Sequence, residues 1–150
     1  SLPLMAAGGI ASGAAMVAAM ALGADGIQAG SLFAVAEESS AHPDFKRLVT
    51  SLKEGDTQLA LKKLAPVRLI KNTFFREVAE AEARGASAEE LSSLLGKGRA
   101  KKGIFEGDLE QGELEIGQVS SMLHAIEPVS VIMDRLMREA EETRARLTSS

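Results

Sequence analysis

Two short turns hold the residues best suited to chemistry. Gly8-Gly9 follows the apolar run Leu4-Met5-Ala6-Ala7, and Gly30-Ser31 follows Asp25-Gly26-Ile27-Gln28-Ala29. Each turn opens into a stretch rich in helix formers. The N–H groups at a helix start lack intrahelical partners, the helix dipole favours negative charge there, and glycine admits a close ligand. Two such turns at consecutive strand ends predict a grip on one phosphate, with the Ser31 hydroxyl as a further donor. The plainer reading is two tight turns that simply require glycine. Gln28 is polar at the end of an apolar strand and needs partners: either a ligand ring or a neighbouring loop.

The remaining polar residues carry less. His42, beside Pro43, could transfer protons but reads first as a capping or packing residue. His124 sits on an apolar stretch and reads as structural, and two histidines this far apart do not suggest a metal site. Glu37-Glu38 either touches a ligand or ends a helix. The basic run Lys97, Arg99, Lys101 and Lys102 reads as a solvated loop. Arg68 and Lys71 flank apolar residues, where they steer an anionic substrate or form ordinary surface ion pairs. Met5, Met16 and Met20 read as packing residues. No nucleophile–base pair, catalytic carboxylate pair or metal cluster can be assembled, so the residues suit binding a cofactor better than doing chemistry.

The elements that must position the turns follow from composition and punctuation. Leu4 to Ala7 has no alternation, as expected of a parallel strand buried on both faces. Ser12 is a good N-cap for a helix over 13–22, which Gly23 ends. Asp25 to Ala29 is a second strand, followed by a short helix to about Glu37, giving a βαβ unit. Pro43 starts a helix to about Leu52 with Phe45, Leu48 and Val49 on one face. Thr57 to Leu61 and Val67 to Ile70 are brief β-prone pieces. Asn72 caps a helix from Phe74 to Arg84, and Ser87-Ala88-Glu89-Glu90 is a capping box before a helix to Leu95. Five glycines from Gly96 to Gly112 mark a loop with at most one helical turn. Helices over Leu114–Ala125 and from Val129 to about Leu147 close the chain. The division expected is a βαβ piece over 1–40, a mainly helical segment over 41–125 and a C-terminal helix over 126–150.

Composition narrows the class. A chain of 150 residues supports one domain with a real core, and a net charge of −4 argues against nucleic acid or an anionic membrane as partner. The absence of cysteine excludes disulfides and thiolate metal sites and fits a reducing compartment, with the cytoplasm as the default. The apolar run Ala14 to Leu22 is too short to span a membrane. Two parallel strands alone leave unpaired edges, so neighbouring strands are expected from elsewhere. Together with a start directly against an apolar run, this gives the expectation of a fragment that neither folds well nor holds its cofactor alone.

Several segments carry a family resemblance. Ala6-Ala7-Gly8-Gly9-Ile10, Leu22 through Phe33, and Glu37-Glu38-Ser39-Ser40-Ala41-His42-Pro43 resemble the C-terminal half of the nitronate monooxygenase (2-nitropropane dioxygenase) family. That family is related to the FMN-dependent enoyl-ACP reductase II enzymes. The similarity continues through Pro66 to Asn72, Gly96 to Gly103 and Glu106 to Gly117-Gln118-Val119, nearly the whole chain. The resemblance implies the last two βα units of a TIM (β/α)8 barrel carrying FMN, followed by a mainly helical appendage. It maps the phosphate grip onto Gly8, Gly9, Gly30 and Ser31, with Ala7, Gln28 and Ala29 lining the strand ends. Ser31 stands where the family usually has threonine and keeps the hydroxyl. The family's catalytic histidine belongs to a glycine-rich segment that this sequence lacks, and neither His42 nor His124 matches it, so no catalytic residue is carried over. IMP dehydrogenase-type barrels resemble the first forty residues but fit Gln28 and everything from Ala41 onward poorly.

The activity implied is oxidation of an alkyl nitronate with O₂ at the flavin. The alternatives are NAD(P)H-dependent reduction of an enoyl thioester and, from another class, a non-enzymatic helical interaction module. The partners implied are a small-molecule substrate and the missing N-terminal half of the barrel, with a homodimer allowed.

Overall fold

The computed structural model describes residues 2–149 and is α/β. Strand β1 (Met5–Ala7) pairs in parallel with β2 (Gly26–Gln28) through Met5–Gly26, Ala6–Ile27 and Ala7–Gln28. Helix α1 (Gly13–Ala21) connects them, its first turn capped by the Ser12 hydroxyl, which accepts the Ala15 N–H. This register puts both strands' C-terminal ends side by side, so the Gly8-Gly9 and Gly30-Ser31 turns leave the sheet at one edge. Helix α2 (Gly30–Ala34) follows directly.

Helix α3 (Pro43–Ser51) buries Phe45, Lys46 and Val49. Strands β3 (Thr57–Ala60) and β4 (Val67–Ile70) form an antiparallel hairpin. Helices α4 (Thr73–Ala83) and α5 (Ala88–Leu95) pack beside it, α5 opening on the capping box of Ser87 and Glu90. One π-helical turn, Lys101–Phe105, interrupts the glycine-rich loop. Helix α6 (Val129–Thr148) closes the chain and lies against α1, burying Ile132, Leu136 and Ala140. The contact is close because Gly13 has no side chain: a methyl there would fall on the backbone of Leu136 and Ala140. The Glu139 carboxylate accepts the Gly13 N–H at 2.8 Å, adding a second cap to α1.

Two hydrophobic clusters hold the chain together. One joins α2, α3 and α6 through Leu32, Val35, Phe45, Val49, Ile132 and Leu136. The other joins the hairpin to α4 and α5 through Leu61, Leu69, Phe74, Val78 and Leu91.

Four expectations change. The segment over Leu114–Ala125 is not a helix: Glu115 bridges Leu69 of β4, the Ile70 N–H donates to the Leu114 carbonyl, and only Gln118–Met122 forms a 3₁₀ turn. Its apolar spacing fits a helix, but β4 offers an open edge that an extended chain satisfies better. Met5 and Met20 are 53% and 38% exposed, so they do not pack in a core. Likewise β1 and β2 are not buried on both faces: none of their residues is fully buried, with α1 packed on one side. Finally, the basic run is not uniformly solvated. Arg99 stacks on Phe74 at 4.4 Å and donates to the carbonyls of Leu94, Leu95 and Gln111, while Lys101 and Lys102 pair with Glu106 and Asp108.

Candidate functional site

The register of β1 and β2 builds a cradle of about 280 Å³ at their C-terminal ends. Ala7, Gly8, Gly9, Gln28, Ala29, Gly30 and Ser31 all line it, together with Ile10, Gly117 and Val119. The sequence-derived residues are thus brought together by the fold. Gly8 and Gly9 have φ of +89° and +71°, a conformation that costs an L side chain roughly 1–2 kcal/mol per residue. A β-carbon on Gly8, Gly9 or Gly30 would meet nothing within 4 Å, so the missing side chains leave open space beside the backbone.

Helix α2 points its N-terminus into this cradle uncapped. Its N-cap is Ala29, which cannot accept a hydrogen bond through its side chain, whereas Ser12, His42, Asn72 and Ser87 cap α1, α3, α4 and α5. The first amides of α2 therefore have neither an i−4 carbonyl nor a capping oxygen. No ionisable side chain lines the cradle. The local field comes from peptide dipoles, which is the arrangement that favours an anion.

Gly117 completes the wall. Its N–H donates to Ser31 Oγ at 3.0 Å. A hydroxyl has one proton and two lone pairs; with an amide on one lone pair, the Ser31 proton remains available to a ligand. A β-carbon on Gly117 would lie 2.6 Å from Ser31 Oγ, so glycine is required for the contact. Gly117 lies in a family-like segment of the sequence, and only its place against Ser31 gives it a role. The signal was its glycine within the apolar stretch Leu114 to Val119, where a helix reading makes glycine unfavourable.

Of the other candidates, His42, Glu38 and Arg68 have structural work, while Gln28 and His124 do not. Gln28 is exposed and makes no side-chain hydrogen bond within the described residues, so it does not tie down a loop. His42 caps α3, its Nδ1 accepting the Asp44 N–H at 3.2 Å, and its ring packs over Gly107. His124 is exposed, away from the cradle. Glu38 does not end a helix: its carboxylate accepts the Val129 N–H and caps α6. Among the described residues Arg68 makes no ion pair; its guanidinium donates to the Thr57 carbonyl at 3.2 Å. With Glu115 it lines a broad groove of about 560 Å³ that shares Gly30, Ser31 and Gly117 with the cradle. Among the described residues no group of three His, Cys, Asp or Glu side chains is placed to hold a metal ion, and no helix is long and apolar enough to cross a membrane.

The fold and cradle define an α/β protein with a glycine-lined site at the carboxyl ends of parallel strands, where such sheets bind their ligands. The nitronate monooxygenase family model matches residues 1–139, and the chain belongs to that family. A probable nitronate monooxygenase of Bacillus subtilis (strain 168) is 31% identical over 140 residues, which cover 93% of this chain and 40% of that protein. FabK from Thermotoga maritima superposes with a TM-score of 0.91 at 34% identity, covering 99% of this chain and 47% of FabK. Nitroalkane oxidase from Streptomyces ansochromogenes superposes with a TM-score of 0.75 at 32% identity, covering 98% of this chain and 42% of that enzyme. The chain therefore spans less than half the length of these relatives.

Proposed function

We propose that this chain supplies the phosphate-holding part of an FMN-dependent oxidoreductase that oxidises alkyl nitronates with O₂. The observation that carries the reading is the cradle itself: open space over glycine backbone, the uncapped start of α2, and a Ser31 hydroxyl whose lone pair is already engaged by Gly117. Membership of the nitronate monooxygenase family supports the reaction type. In this reading β1 and β2 are the last two strands of a TIM barrel, residues 41–125 a mainly helical insertion and residues 126–150 a C-terminal segment.

The residues fit a phosphate monoester. The amides of Gly8, Gly9, Gly30 and Ser31 would face its oxygens, the Ser31 hydroxyl would donate to one of them, and Ala7, Gln28 and Ala29 would line the strand ends. Bound flavin supplies the electron-accepting chemistry; the protein's share is holding and orienting it. This chain's residues fix the cofactor's tail. Among the described residues no side chain lining the cradle can accept a proton from a carbon acid, so the cradle is assigned to holding the cofactor and not to proton transfer.

The second reading is the other branch of the resemblance, reduction of an enoyl thioester by NAD(P)H at the same flavin. It is kept because the solved relatives carry different names, and FabK superposes better than nitroalkane oxidase. Turnover by the full-length protein separates the two. Nitronate-dependent O₂ consumption without NAD(P)H is expected; NAD(P)H-dependent reduction of an enoyl thioester without nitronate oxidation would overturn the first reading. A full-length protein that purifies colourless and binds no added FMN would overturn both in favour of a non-enzymatic module.

A further inference from the structure

Lys46 is a lysine in an unusual place. It is only 6% exposed, on the inward face of α3, and its ammonium forms no ion pair among the described residues. Instead Nζ donates to the carbonyls of Ala36 at 2.7 Å, Glu37 at 3.0 Å and Ser39 at 2.7 Å. An ammonium has three protons, and all three are used. A buried charge is costly unless its hydrogen bonds are complete, so this arrangement persists because the three carbonyls converge on one point.

Those carbonyls belong to the chain immediately after α2, the helix whose first turn forms the cradle wall. At five residues α2 is too short to hold its own geometry, and its position is set from outside. At one end Ser31 is held by Gly117. At the other, Lys46 gathers the chain leaving the helix through the carbonyls of Ala36, Glu37 and Ser39.

We propose that Lys46 is a positioning residue for the phosphate cradle: without touching the ligand, it fixes α2 by anchoring the chain that leaves its C-terminal end. The proposal rests on the reading of the cradle as a phosphate site.

The test is a flavin titration of the full-length apoprotein, following fluorescence quenching with FMN and with riboflavin, which lacks the phosphate. The ratio of the riboflavin Kd to the FMN Kd isolates the phosphate's contribution. In Lys46→Met the ratio is expected to fall by about tenfold or more, as for other groups that orient direct ligands. In Lys46→Gln, which retains N–H donors without charge, a smaller fall is expected; this variant carries the test if Lys46→Met does not fold. A ratio unchanged in a folded variant, with only the thermal midpoint lowered, overturns the proposal and leaves Lys46 a stability residue. A wild-type protein that binds the two flavins equally overturns the phosphate cradle and the proposal with it.

Discussion

The Gly117 N–H donates to the Ser31 hydroxyl oxygen at 3.0 Å, joining residues 86 positions apart at the wall of one cradle. The bond fixes the hydroxyl's direction as well as its place. Ser31→Ala removes the donor offered to a phosphate and leaves the Gly117 amide unpaired. FMN affinity should fall roughly tenfold or more, the scale of a hydrogen bond to a charged group, while Ser31→Thr should stay near wild type. Gly117→Ala should weaken FMN by a similar factor, because its methyl would lie 2.6 Å from Ser31 Oγ. Equilibrium titration of the full-length apoprotein checks all three.

The contact between α1 and α6 sets a second expectation. Gly13→Ala would press a methyl into the backbone of Leu136 and Ala140, which cannot swing away as a side chain could. A cost of about 2–3 kcal/mol in urea unfolding is expected. Glu139→Gln leaves the packing intact and removes the negative charge at the α1 N-terminus; it should cost less, about 0.5–1 kcal/mol.

Ser120 points the other way. Its hydroxyl oxygen is fully buried without a hydrogen-bond partner among the described residues. Removing an unsatisfied buried polar group can be neutral or favourable. Ser120→Ala should therefore leave stability unchanged or raise it by up to about 1 kcal/mol, read as a shift in the urea midpoint.

Two carboxylates give opposite pH signatures. Burial, and secondarily the like charge of Glu115, pushes Glu113 above the ordinary glutamate value of 4.5 against a smaller pull from Arg99. Folding therefore favours its protonated form, and this contribution is lost as pH rises through the folded pKa. Glu113→Gln should stabilise the protein at pH 7 and make no difference below about pH 4. Asp108 is held below its ordinary value by the Gln111 amide and then by Lys102. Its contribution is present above the unfolded aspartate range and lost as pH falls through the folded value. Asp108→Asn should destabilise at pH 7, with the difference shrinking as pH falls below the ordinary aspartate range and vanishing below the lowered folded value.

What was legible in the sequence was what local chemistry dictates. Gly8, Gly9 and Gly30 mark strand ends by residue type, and the caps at Ser12, Asn72 and Ser87 lie where their side chains reach their own helices. The pairing of Ala7 with Gln28 then follows from a βαβ unit and brings the candidate residues to one edge. What was hidden depends on distant chain. Gly117 acquires its role only by lying against Ser31, and the segment around Glu115 is extended because β4 offers an edge to it. Arg99 reads as one charge in a basic run until Phe74 and three carbonyls are placed around it.

The Glu139 cap on Gly13 also bears on the order of synthesis. The loop that turns out of β1 through Gly8-Gly9 runs directly into the first turn of α1, and α1 rests on a helix made more than a hundred residues later. While the ribosome is still adding the residues between, the cradle's first turn leads into a helix that has β2 on one side and lacks α6 on the other. The turn that carries Gly8-Gly9 therefore gains its full support only from residues more than a hundred positions further along the chain.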